Sequence, residues 1–153
     1  MPACTFFGHR DCPETIRPKL RTKLKCLIAK HNVDMFYVGN QGRFDALVRS
    51  VLRELQEEYP HIHYAVVLAY MPQQKQEDYS DTILPEGIEF VNPRYAISWR
   101  NNWMLQQSDY VVAYVTHPWG GAARYLQKAQ KSKKYIYNLH YSANINREDI
   151  ATS

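Results

Sequence analysis

The chain has 153 residues, 45% of them hydrophobic and 22% charged, and a net charge of +4. That length and balance belong to a water-soluble globular domain with a core of its own, and no apolar run is long enough to cross a bilayer. The positive charge suits an anionic ligand but is too diffuse to argue for nucleic acid, which is not expected as a partner.

Taken in order, Ala3 to Phe7 reads as a buried strand, because it is short, apolar and rich in aromatic residues. Gly8-His9-Arg10-Asp11 is a polar turn, and no basic leader precedes it, so a cytoplasmic protein is expected. Glu14 to His31 follows as a helix with Leu20, Leu24, Leu27 and Ile28 on one face, although Pro18 delays its start. Asp34 to Val38 is a second strand, Gly39-Asn40-Gln41-Gly42 a glycine turn, and Phe44 to Tyr59 an amphipathic helix that Pro60 ends. His63 to Tyr70 is the third strand. The polar stretch from Met71 to Pro85 is long for a connection and reads as a lid or a partner surface.

Arg94 to Gln107 has the composition of a helix, and Tyr110 to Val115 that of a fourth strand. After the break Pro118-Trp119-Gly120-Gly121, a further helix begins at Ala122. Tyr135 to Leu139 supplies a fifth strand, and the tail from His140 reads as surface coil. Strand-turn-helix units in series give parallel strands with right-handed crossovers. The expected fold is therefore α/β: one Rossmann-like domain with an open, mainly parallel five-stranded sheet and helices on both faces.

Three glycine-bearing turns would meet at the carboxyl ends of such strands, where open α/β sheets carry their crevice. The turn at Thr116, His117, Gly120 and Gly121 leads into a helix whose first amides, including those of Ala122 and Ala123, point at one place. That makes an anion site, although a plain tight turn uses the same glycines. Gly8 closes the first turn, while His9 and Arg10 bring a donor and a fixed cation; otherwise His9 caps a strand and Arg10 pairs with Asp11. Gly39 and Gly42 free the second turn, with Asn40 and Gln41 placed to hydrogen-bond a base or ribose. Asp45 either caps the following helix or accepts a ribose hydroxyl.

Several features carry blander readings. Three cysteines (Cys4, Cys12 and Cys26) are odd in number and lack metal-site spacing, so they read as reduced thiols. His61 and His63 have no third ligand nearby, so no metal is expected. Trp99 and Trp103, four apart, form a core or subunit-interface stripe; with Tyr95 they raise the expectation of a homodimer or larger, which a monomeric mass by light scattering would refute.

Strand-Gly8-His9-Arg10, then Gly39-Asn40-Gln41-Gly42-Phe44-Asp45, then Ser108-Asp109 with a strand and Gly120-Gly121, resemble in order and spacing the SLOG superfamily. That superfamily unites the Smf/DprA and LOG proteins, and the similarity is greatest to its small stand-alone YpsA-like branch. It runs from Thr5 to about Leu139. The resemblance implies a nucleotide or nucleotide-derived ligand, and it assigns Arg100 the nucleotide-binding arginine that LOG enzymes carry on the corresponding helix; no separate cofactor is implied.

The LOG motif Gly-Gly-x-Gly-Thr-x-x-Glu falls on Gly120 to Gln127, with Ala123, Arg124 and Gln127 in place of glycine, threonine and the catalytic glutamate. An amide can neither take a proton nor stabilise an oxocarbenium-like centre. The expectation is a nucleotide-binding or sensing module without catalysis. The alternatives are an N-glycosidic hydrolase acting on nucleoside 5'-monophosphates through another carboxylate, Asp45 or Asp11, and a DNA-associated module like DprA.

Overall fold

A computed structural model describes residues 2–70 and 81–141 of the chain. Strand β1 (Ala3–Gly8) leads through a short 3-10 turn to α1 (Arg17–His31). Then come β2 (Met35–Val38), α2 (Gly42–Glu58), β3 (His63–Val67) and β4 (Thr82–Ile83). The chain returns through α3 (Ala96–Gln107), β5 (Tyr110–Tyr114), α4 (Gly121–Lys131) and β6 (Tyr135–Asn138).

The sheet order is β4-β3-β2-β1-β5-β6 and every pairing is parallel. Among the described residues the sheet therefore has six strands, not five. The additional one, β4, is a two-residue edge segment in which Thr82 pairs with Val66, too short to show any hydrophobic period. It falls within the expected 71–85 loop; residues 71–80 of that loop lie outside the described residues. Likewise, the expected surface coil begins as a 3-10 turn at Leu139–Tyr141 with Leu139 buried, and residues 142–153 lie outside the description.

Strand alternation distributes side chains to two cores. Phe6 joins Leu20, Leu24, Leu27 and the inward residues of α2 on one face, whereas Phe7 joins Met104, Leu105, Tyr125 and Ala129 of α3 and α4 on the other. Pro18 occupies the first turn of α1, where a missing N–H is tolerated, and that is why the helix starts at Arg17 and not at Glu14. Asn32, left-handed at φ 58°, stops it. The two tryptophans of α3 turn inward: Trp103 meets Tyr37 edge-on at 5.3 Å, and Trp99 packs on Ala69, Ile88 and Ala96. All three cysteines are free thiols.

Candidate functional site

The chain builds outward from β1 through β2 and β3 to β4, then returns to lay β5 on the other side of β1. The order reverses between β1 and β5, and the loops after these two strands flank a crevice at their carboxyl ends. A cavity of about 430 Å³ opens there, a size that suits a small ligand. Its walls include Gly8, His9, Arg10 and Asp11 after β1, Gln41 and Asp45 at the start of α2, Arg100 on α3, and His117, Gly120, Gly121 and Ala122 before and within α4.

The loop between β5 and α4 is tied down on two sides. The Asn138 side chain brackets Val115, accepting from its N–H at 3.1 Å and donating to its carbonyl at 3.0 Å. On the other side the Thr116 N–H donates to His9 Nε2 at 2.9 Å, while the His9 N–H donates to the Tyr114 carbonyl at 3.1 Å. A neutral imidazole that accepts at Nε2 carries its proton on Nδ1. Burial, with the neighbouring His117 adding to it, lowers the His9 pKa and keeps the ring in that neutral form. The Nε2 side of His9 is thus an acceptor committed to the loop, and Nδ1–H is the donor the ring retains.

The loop delivers Gly120 as the N-cap residue just before α4, at φ 94° and ψ 176°, with no side chain to cap the helix. The first amide bonded within α4 is that of Arg124, to the Gly120 carbonyl at 3.1 Å. The N–H groups of Gly121, Ala122 and Ala123 precede it and have no partner within the helix. Gly120 and Gly121 leave open space: a Cβ at either would meet nothing within 4 Å.

Arg100 faces this helix end from α3. It is 2% exposed, and its Nη1 donates to the Val67 carbonyl at 2.9 Å and to Asn40 Oδ1 at 3.3 Å. Nε donates to Asn101 Oδ1 at 2.8 Å, and Nη2 has no hydrogen-bond partner among the described residues. A guanidinium so buried is held by fixed acceptors and has an edge left for an anion. Asn40 orients Arg100 through this bond, and its side chain is not part of the cavity wall.

Asp45 lies close to that guanidinium. A Cβ at Gly39 would come 2.7 Å from Asp45 Oδ2 and 3.1 Å from Arg100 Nη1, so both groups crowd one backbone position. Oδ2 accepts from the Gln41 N–H at 3.0 Å, a cap on α2, and the other oxygen has no hydrogen-bond partner among the described residues. Burial pushes the Asp45 pKa up from 3.8 to about 6, against the Gln41 amide and the charges of Arg100, Arg49 and Arg10, which pull it down.

Of the remaining expected residues, Gly39 is buried, and its carbonyl accepts from Arg49 at 3.2 Å. Gly42 locks the first two turns together: at φ 85° its Cβ position lies 2.9 Å from Arg10 Cα, and the adjacent Arg43 N–H donates to the Arg10 carbonyl at 3.0 Å. Thr116 acts through its backbone, and Ala123 is buried against Ala113, Val115 and Leu126. None of these four residues lines the cavity. Gln127 is exposed and outside the cavity as well; the α4 side chains on its wall are those of Ala122 and Tyr125.

The sequence reading passed over Tyr125, Ile97 and Met104 as wall residues, and Asn138 as the brace of the loop. A signal for α3 was available: Ile97, Asn101 and Met104 follow helical spacing, and Ala96, Arg100 and Met104 recur every four residues on the buried stripe. Arg94 is exposed, stacks on Tyr95 and lies outside the cavity wall, and His61 and His63 are exposed. Among the described residues no His, Cys, Asp and Glu side chains group for a metal ion, and no helix is long and apolar enough to cross a membrane.

No protein-family profile matches the chain. It is 24% identical over 139 residues to UPF0398 proteins of Bacillus thuringiensis (strain Al Hakam) and Bacillus cereus (strain AH187), covering 83% of this chain and 75% of each relative. Among solved structures it is similar to DNA processing protein A (DprA) from Streptococcus pneumoniae, with a TM-score of 0.63 and 14% identity. That likeness covers 90% of this chain and 50% of the other, so the chain spans half the length of DprA. It is also similar to the molybdenum cofactor carrier protein MCP from Chlamydomonas reinhardtii, with a TM-score of 0.57, 18% identity and coverage of 89% and 75%. These structural likenesses are of fold, a Rossmann-like α/β architecture.

Proposed function

We propose that the chain is a SLOG-type module of the stand-alone YpsA-like kind that binds a nucleotide or nucleotide derivative without cleaving it. One observation carries the reading: an uncapped helix N-terminus and a buried arginine with an unused edge converge on the same cavity. Backbone amides at the positive end of a helix suit a phosphate, and a guanidinium adds charge-assisted, directional bonds in a site shielded from water. Arg10, exposed at the rim, adds a second cation. One fold neighbour is by name a cofactor carrier, which supports holding a ligand over transforming it.

A thermal-shift panel of mononucleotides, dinucleotides and cyclic nucleotides tests this. A ligand at a hundred times its Kd stabilises by about 2.7 kcal/mol, which raises the midpoint of a domain this size by roughly 5–10 °C. A flat response across the panel at millimolar ligand overturns the reading.

Asp45 favours a second reading. A carboxyl with a pKa of about 6 in the same cavity has the properties needed to protonate a leaving base or, once ionised, to stabilise positive charge on the sugar. We expect no cleavage, because the helix that carries the catalytic glutamate in LOG enzymes has exposed Gln127 at that position, turned away from the cavity. Chromatography of AMP and CMP after long incubation decides between the two. Protein-dependent release of base at about one turnover per second, an ordinary enzymatic rate, would replace binding with hydrolysis.

A further inference from the structure

We infer that Trp119 is the stacking platform for the base of the bound nucleotide, and that the ligand is of the purine class; the inference rests on the nucleotide reading and specifies it. Trp119 is 67% exposed on the turn directly before the Gly120-Gly121 cradle. It is not a loose surface side chain. Its ring stacks on His117 at 4.0 Å and 20°, and His117 stacks on His9 at 3.9 Å and 13°. His9 is anchored to both β5 and the cradle loop by the two hydrogen bonds given above. A column of three parallel rings thus rises from the crossover of β1 and β5 and fixes the plane of an indole that is mostly uncovered.

A large aromatic ring left open to water is unfavourable, and holding it in one orientation removes the ordering cost that a ligand would otherwise meet on stacking. A second observation points to the same occupant. Among the described residues His117 Nδ1 is buried without a hydrogen-bond partner, and His117 lines the cavity wall. An orphaned ring nitrogen beside the cradle is satisfied by a polar atom of a bound molecule. A phosphate on the α4 amides leaves the rest of a mononucleotide to extend past the cavity rim, and Trp119, adjoining Gly120 but outside the cavity wall, is the exposed ring next to it in the chain. The bicyclic indole overlaps a fused purine ring more fully than a pyrimidine, which sets the preference.

Calorimetry and tryptophan fluorescence with AMP, CMP and ribose 5-phosphate test this on the wild type, Trp119→Ala and Trp119→Phe. Wild type should bind AMP roughly tenfold or more tighter than ribose 5-phosphate, with CMP between them, since one stacked base is worth that much. Trp119→Ala should bind AMP and ribose 5-phosphate alike, and Trp119→Phe should keep part of the AMP preference. AMP should quench wild-type emission, and Trp119→Phe should lose that quench while still binding, because Trp99 and Trp103 are turned into the core. Equal binding of AMP and ribose 5-phosphate by wild type overturns the platform and leaves the phosphate cradle standing. Binding of neither overturns the nucleotide reading and the platform with it.

Discussion

Gly121→Val should leave the ligand-free protein folded and abolish its stabilisation by nucleotide. Gly121 is the first residue of α4 in ordinary helical geometry, and a Cβ there meets no protein atom within 4 Å. The isopropyl group therefore enters the cavity and not the core, taking the space a phosphate needs to reach the amides. We expect binding to weaken by a hundredfold or more, while the free-state stability changes by less than about 1 kcal/mol, the span of helix propensities between glycine and other residues. Gly120→Ala is the contrast. At φ 94° and ψ 176° any side chain is strained, so this variant should lose about 1–3 kcal/mol of stability whether or not ligand is present. A full thermal shift in Gly121→Val would place the phosphate elsewhere on the molecule.

The second large effect concerns stability in the absence of ligand. Asp45 has its pKa raised from 3.8 to about 6 by burial, so the folded protein holds a proton more tightly than the unfolded chain. The linked stability is fully present below pH 4 and is lost as pH rises through about 6. At pH 7 and above the ionised carboxylate then costs the fold about 2–3 kcal/mol. Asp45→Asn removes that cost and keeps an oxygen to accept from the Gln41 amide. Its thermal midpoint should exceed that of wild type by roughly 5–10 °C at pH 8, and the difference should shrink toward zero near pH 4. His9 acts in the opposite direction: its lowered pKa makes the fold lose stability as pH falls below 6.5. Comparing variant with wild type at each pH cancels that contribution. A variant less stable than wild type at pH 8 would show the carboxylate to be a net support of the fold.

How much of this was legible in the sequence depended on whether a residue's role followed from its own segment. The core strands were readable because Val111, Val112 and Ala113, or Phe6 and Phe7, are apolar on both faces, as a doubly covered sheet requires. The glycine turns were readable because their spacing places them after strands. Arg100 was pointed to by family resemblance, yet its burial was not, because a charged residue on an apolar stripe breaks the binary pattern used to find the stripe. The hydrogen bonds of His9 and Asn40 were out of reach of the sequence for a different reason. Their partners, Thr116 and Arg100, come from distant segments, and only the sheet order brings them together. The register of α4 shows the same limit: aligning Gln127 with a catalytic glutamate is sound letter by letter, but the helix turns that position to solvent and Tyr125 to the cavity.

The position of β1 in the sheet has a consequence for how the molecule is made. β1 is synthesised before the other strands of this sheet yet lies in its interior, with Thr5 paired to Tyr37 on one side and to Val111 on the other. Its first neighbour follows within one helix, whereas the second arrives only after most of the chain has been synthesised. Until then β1 is an open, apolar edge, the kind of edge that recruits foreign strands. When β5 docks there, the same event closes that edge, brings Thr116 to His9 and aims the start of α4 at Arg100. Closure of the β1 edge and assembly of the cavity walls thus arrive in the same event.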